Sequence, residues 1–421
     1  MNVSRRNALK IALSGAATLP FGKYAQAATT LKVVSLGSWD EKITSEGLIQ
    51  PMKALAPALQ LEIERLPFNQ LLQALEVRLA ARNADPDVYI VDGPLTASYA
   101  SRGHLLQLDG LVDKAAIAPS AVEACSYKGS IYCAPLANTA TVLYYNKELF
   151  KKANIAPPSA DPANRWTWEK TYEAGKALAN KSEGVWGFAW DQSERPYEML
   201  PMGQSIGGTA LSPDGLTASG FLDSKPFVDA WTFMQKFYAD GVSPRGLFDI
   251  PIVWELFSTG KLAMMVGLTA GWDTFVKSKV EFGVAPMPYM SSGKPVSTTG
   301  GWTFGINPRS TNLEASKEFI RAIMNPQMQE KFLRVRPYAP FVSEMWTRMS
   351  DYYTGDMWKI VRHDYESTAI PRPVTPGFRE YEEVLRLALR DIQMGSDPKP
   401  TLAAAAQKVD RELQKYRTKP L

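Results

Sequence analysis

At 421 residues the chain is longer than one hydrophobic core ordinarily serves, since cores stop growing at about 250 to 300 residues, and two lobes are expected. Composition is globular, 45% hydrophobic and 21% charged, and no uninterrupted apolar run is long enough to span a bilayer. The excess of 47 Lys and Arg over 43 Asp and Glu lies in residues 1–27, which hold Arg5, Arg6, Lys10 and Lys23 and no carboxylate; the rest balances at 43 to 43 and gives no electrostatic reason to expect nucleic acid or an anionic membrane as partner.

The first element is "MNVSRRNALKIALSGAATLPFGKYAQAATT", a charged opening and a mildly apolar middle that end in Ala25-Gln26-Ala27. It reads as a signal peptide cleaved after Ala27, which places the mature chain in the periplasm. Arg5 and Arg6 lie in Ser4-Arg-Arg-Asn-Ala-Leu-Lys10, which resembles the twin-arginine export signal, with Ala8 where that signal usually has Phe. An ordinary secretory signal carrying two arginines is the alternative. No Cys follows the cleavage site, so a lipid anchor is not expected there.

"TLKVVSLGSW" is a β-prone run stopped at Gly37, and "FNQLLQALEVRLAAR" carries Leu71, Leu72, Leu75 and Leu79 on one helical stripe. "DPDVYIVDG" is a second buried strand. Strand and helix alternate, which argues an α/β sheet with ligand positions just past the strand ends, at Ser38, Trp39 and Asp40 and again at Asp92 and Gly93. In "ACSYKGSIYCAP" a turn at Lys128-Gly129 could bring Cys125 and Cys133 together. A disulfide suits an oxidising compartment, and two unpaired buried thiols are the alternative. With two His and no clustered Cys, a metal site has little to be built from, and no cofactor is expected.

"PLANTATVLYYNKELF" sets polar residues at the mouth of an aromatic strand, the middle of the chain is helical and aromatic, "VSTTGGWTFGINP" returns to strand, and the last stretch is helical apart from the Pro-rich "AIPRPVTPGF". There is no repeat at solenoid spacing.

"ADPDVYIVDGPLTASYASRGHLLQLD", "GSIYCAPLANTATVLYYNKELFKKANIAPP", "FSTGKLAMMVG" and the segment from "FGVAPMPYM" to "MNPQMQEKFL" resemble, in this order, the extracellular solute-binding proteins (family 1) of sugar-importing ABC transporters, the maltose-binding-protein group. The resemblance implies an α/β, two-lobed periplasmic-binding-protein fold with discontinuous lobes, hinge crossings and a central ligand cleft. It implies an N-terminal lobe of residues 28–137 and 297–339 and a C-terminal lobe of 138–296 and 340–421. The function implied is capture of a sugar or oligosaccharide for delivery to permease subunits in the inner membrane, by a monomer without catalytic activity. An anionic, sugar-like solute such as glycerol phosphate or a sulfonated glycoside is one alternative, and a secreted glycoside hydrolase, needing two carboxylates about the scissile bond, is another.

A pyranose shows apolar C–H faces and a rim of hydroxyls, so its binder needs flat aromatic surfaces beside planar hydrogen-bonding groups. Of 11 tryptophans, Trp39, Trp190, Trp272 and Trp302 fall at positions matching cleft loops of the family, and Trp302 follows paired glycines, Gly300 and Gly301, that would let backbone approach a ligand. Trp166, Trp168, Trp231 and Trp254 are assigned to packing. The expected polar contacts are Asp92, Asn138, Thr139 and Arg372, with Asp40 and Gln192 behind them. Arg372 could hold two hydroxyls or an anion with its planar fork.

Overall fold

The computed structural model describes residues 28–417 apart from 194 and 247. The expected leader, with Arg5 and Arg6, lies outside the described residues. The strands are β1 (Thr29–Leu36), β2 (Leu59–Leu66), β3 (Val88–Asp92), β4 (Ser126–Tyr127), β5 (Ser130–Ile131), β6 (Ala134–Asn146), β7 (Ala189–Trp190), β8 (Met264–Leu268), β9 (Phe282–Ala285), β10 (Ser297–Ile306) and β11 (Ala369–Ile370). The first sheet half is parallel, β2-β1-β3, and its free edge is closed by β10 running antiparallel to β3. β3 is buried along its whole length, as a strand covered on both faces must be. The expected stripe holds: Leu71, Leu75 and Leu79 of the helix Phe68–Ala80 are buried, with Leu72 packed at the margin.

The two lobes are joined through two long strands. Thirteen-residue β6 pairs with β10 from Ala134 to Ala140, and from Thr141 onward it pairs with β8 and β9. β10 in turn pairs with β11 through Ser297 and Thr298 before it reaches β6 and β3. A third segment passes alongside, where Ala339 and Asn138 form an isolated bridge. In the β8 half the alternation of side chains divides neighbouring tyrosines. Tyr144 packs edge-on against Phe257 and Phe275, while Tyr145 meets Phe150 in the other cluster. Asn146 ends β6 and caps the helix Lys147–Lys152 by accepting from the amides of Glu148 and Leu149.

The expected Cys125–Cys133 bridge is corrected: both thiols are free and buried. The β4–β5 hairpin pairs Ser126 with Ile131, and the Tyr132 amide donates to the Cys125 carbonyl at 2.9 Å, so Tyr132 stands across from Cys125. Cys133 is one residue out of register and its sulfur instead accepts from the Thr96 hydroxyl. Burial pushes both thiols up, that of Cys133 to about 11, which keeps them protonated and unreactive.

Candidate functional site

The C-terminal ends of the parallel strands open into a cavity of about 430 Å³, within the range of small-ligand sites and at the strand ends where open α/β sheets bind ligands. From the first lobe come Leu36 at the end of β1 and Ser38 after it, Pro67 and Phe68 after β2, and Asp92, the last residue of β3. Thr139 of β6 and Gly301 and Trp302 of β10 form the part nearest the crossings. The opposite side is made by Gln192, Arg195 and Tyr197 after β7, Leu268 and Ala270 at the end of β8, and the start of the helix Ile250–Ser258 with Trp254. Arg336, Tyr338 and Arg372 complete it from the later loops.

Trp302 stands opposite Asp92 in the β10–β3 register and is half-buried. Its ring meets Phe68 edge-on at 5.8 Å, and the Arg195 guanidinium lies 4.4 Å from the Phe68 ring centre, so an aromatic and cationic stack joins the two sides of the cavity. Arg372 holds Asp92 with both arms of its fork, Nη1 donating to Oδ2 at 3.0 Å and Nη2 to Oδ1, and both side chains are 10% exposed. Burial works against the Arg372 charge, but the Asp92 carboxylate and the Tyr197 phenol outweigh it and hold its proton more firmly than usual. The guanidinium also lies 4.7 Å from the Tyr197 ring centre. Burial pushes that phenol up to about 12 against the pull of Arg372, and the protonated hydroxyl donates to the Thr139 carbonyl at 3.2 Å.

The paired glycines have a packing cause. A Cβ on Gly300 would stand 2.8 Å from the Tyr197 hydroxyl and 3.2 Å from Arg372 Nη2, and one on Gly301 would stand 2.1 Å from the Ala137 carbonyl of β6. Gly300 therefore admits the Tyr197–Arg372 stack, and Gly301 admits the neighbouring strand.

Behind the cavity wall two fully buried carboxyls, Asp191 and Glu198, lie close enough to raise each other's cost of ionisation. Burial raises both, Asp191 to about 6 and Glu198 well above its ordinary range, with the Asp191 charge adding to the effect on Glu198, so a second negative charge on the pair is disfavoured. Asp191 Oδ2 accepts from Trp254 Nε1 at 3.2 Å and from the Leu268 amide at 2.8 Å, and Glu198 accepts from Gln192 Nε2 at 2.6 Å. The pair thus orients Trp254 and Gln192, both of which line the cavity.

Of the expected residues the structure brings Ser38, Asp92, Thr139, Gly301, Trp302 and Arg372 to the cavity, with Gln192. Gly93 is not among the lining residues, and five of the expected side chains stand elsewhere. Trp39 is buried against Phe332, and its Nε1 donates to the Tyr338 hydroxyl at 3.1 Å, so it supports a lining residue from behind. Asp40 is exposed and caps a helical turn by accepting from the Ile43 amide. Asn138 is buried at the crossing, where its side chain accepts from the Thr299 hydroxyl at 2.8 Å. Trp190 lies in an aromatic core with Phe188, Trp168 and Phe237. Trp272 packs edge-on against Phe282. Trp254, assigned to packing from its helical context, lines the cavity. Sequence reasoning passed over Phe68, Arg195, Tyr197, Arg336 and Tyr338; the signal for Phe68 was its place just past the end of β2, and for the others no periodic pattern marks the position.

The fold and this interlobe cavity define a two-lobed solute-binding protein. The profile of the bacterial extracellular solute-binding proteins matches residues 48–354, and the chain belongs to that family. A Brucella abortus (strain 2308) chain named only as a binding protein is 25% identical over 389 residues, 88% of this chain and 90% of that one. The galactooligosaccharide-binding protein of Bacillus subtilis (strain 168) is 22% identical over 378 residues, 88% of this chain and 87% of that one. Among solved structures, an ABC substrate-binding protein from Listeria monocytogenes in complex with cycloalternan superposes with a TM-score of 0.80 at 20% identity, covering 91% of this chain and 98% of that chain.

Proposed function

We propose that this protein is a periplasmic receptor that captures a sugar or short oligosaccharide in the interlobe cavity and delivers it, as a monomer, to the permease subunits of an ABC importer. The observation that carries the reading is the pairing of aromatic faces with planar polar groups in one enclosure. Trp302, Phe68, Trp254 and Tyr338 offer surfaces for C–H faces, and the Asp92–Arg372 pair and Gln192 offer donors and acceptors for a hydroxyl rim. The oligosaccharide-binding relative supports the substrate class. The lobe limits proposed are residues 28–137 with 297–339 and 138–296 with 340–421; the exchange of partners along β6 at Ala140 and Thr141, a few residues past the first limit, supports a division in this region. The role is binding without turnover: Asp92 is held by Arg372, and Asp191 and Glu198 lie behind the wall and are not among its lining residues.

A thermal-shift screen of mono-, di- and trisaccharides on the mature protein tests the reading, because a ligand bound only by the folded state raises the melting point. A shift followed by recovery of the sugar chemically intact supports it; no shift with any saccharide, or recovery of cleaved sugar, refutes it. Export through the twin-arginine route is proposed for residues 1–27. Changing Arg5 and Arg6 together to Lys then strands precursor in the cytoplasm, and normal maturation of that variant removes the assignment.

A further inference from the structure

The cavity carries three guanidiniums, Arg195, Arg336 and Arg372, against two carboxylates, Asp92 and Asp249. Asp92 and Arg372 neutralise each other in the two-armed pair. Asp249 occupies the N-cap of the helix Ile250–Ser258, where the positive end of the helix offsets its charge. That leaves Arg195 and Arg336. Among the described residues neither has a carboxylate within ion-pairing distance, and the Nε of Arg336 is buried without a hydrogen-bond partner. Both are half-buried and both are held against an aromatic ring of the cavity, Arg195 over Phe68 at 4.4 Å and Arg336 over Tyr338 at 5.5 Å. A guanidinium lying on a ring keeps its N–H edges free in its own plane, and withdrawing it from water without an anion is costly unless a ligand supplies one. The two come from opposite sides of the cavity, Arg195 from the loop after β7 and Arg336 from the end of the helix Pro326–Val335.

We propose that the ligand is an acidic saccharide, a sugar bearing a carboxylate, phosphate or sulfonate, whose oxyanion is received by Arg195 and Arg336 while its ring lies among the aromatic residues. This rests on the sugar-receptor reading and adds the charge of the ligand to it. The notion that Arg372 receives the anion gives way, because its fork is already engaged by Asp92.

The test is calorimetric titration of the mature protein with two matched sets: glucose and maltose, against glucuronate, glucose 6-phosphate and 6-deoxy-6-sulfonatoglucose. The expected result is that an acidic member binds about tenfold or more tightly than its neutral counterpart, as charge-assisted hydrogen bonds imply, with a preference that shrinks as salt is raised. The three acidic arms separate carboxylate, phosphate and sulfonate recognition. Arg195→Gln and Arg336→Gln should each cut the acidic-over-neutral preference by about tenfold. Neutral sugars binding as tightly as acidic ones would overturn the inference and leave the sugar receptor standing. A preference that survives both substitutions would overturn the assignment to these two residues. No binding by either set would overturn the saccharide reading and this inference with it.

Discussion

The Asp92–Arg372 pair joins the end of β3 to the loop after β11, and its energetic weight can be worked from its surroundings. Each side chain is 10% exposed, so each charge has given up most of its hydration and depends on the other. Removing one member of a buried pair costs about 3 to 5 kcal/mol, chiefly because the survivor is left uncompensated. Arg372→Met should reach that range, since it also loses the contact 4.7 Å from the Tyr197 ring centre, which by itself is worth about 0.5 to 2 kcal/mol. Asp92→Asn should fall at or below the lower end, about 2 to 3 kcal/mol, because the amide oxygen still accepts one bond from the fork. The double variant leaves no orphaned charge, so its cost should fall short of the summed singles by about 2 kcal/mol, a coupling typical of groups in direct contact. Equilibrium urea unfolding of ligand-free protein at neutral pH reads all three. Additivity within about 0.5 kcal/mol would refute the reasoning, since distant or water-separated groups behave in that way.

Trp302→Ala should weaken binding of the cognate sugar by about 1 to 3 kcal/mol, as for an aromatic anchor, with little change in ligand-free melting temperature because the ring is half-buried; unchanged affinity by calorimetry would exclude it from the site. Cys125 and Cys133 should resist a thiol reagent in the folded protein and both react after denaturation; absence of reactive thiol in the denatured, unreduced protein would mean that they are bridged. For Asp191 and Glu198 the folded values are raised above those of the unfolded chain. The folded state therefore keeps a proton that the unfolded chain has released, and stability is full below about pH 4 and declines as pH rises through about 6 and beyond. Glu198→Gln removes one titrating group of the pair at nearly constant volume, so its melting temperature should fall less between about pH 5 and about pH 8 than that of the unchanged protein; equal slopes would show that the pair does not set the pH dependence.

What could be read in the sequence follows the range over which each signal acts. The Leu71, Leu75 and Leu79 stripe and the β1 and β3 strands were legible because side-chain period is local, and Asp92 followed from its place at a strand end. The tryptophans were not separable in the same way. Trp190 ends a strand and Trp254 sits on a helix, yet the first is core and the second faces the cavity, because strand pairing and helix rotation decide which side of the backbone meets the cleft. The disulfide failed by a single residue of register, which spacing alone does not resolve. Arg195 and Arg336 lie outside any periodic pattern, and their importance appears only when no carboxylate among the described residues is found within ion-pairing distance of them.

The polar mouth of the Tyr144-Tyr145 strand has a structural origin apart from ligand contact. Where β6 exchanges partners, its neighbours on β10 are also polar: Thr141 and Thr298 share a hydroxyl contact at 2.8 Å, and Thr299 donates to Asn138 at the same separation. These side chains are buried, so apolar replacements would lose pairings while polar ones without partners would cost more. The ladder therefore fixes the relative register of the two crossing strands. Register matters here because it sets Trp302 opposite Asp92 and Gly301 opposite Asn138, and a one-residue slip would turn Trp302 to the other face of the sheet. A ligand among these residues would touch groups carried by both lobes, and only such contacts, gained in one arrangement and lost in another, let binding shift the balance between them. The same crossing that connects the lobes thus places Thr139, Gly301 and Trp302 at the cavity between them.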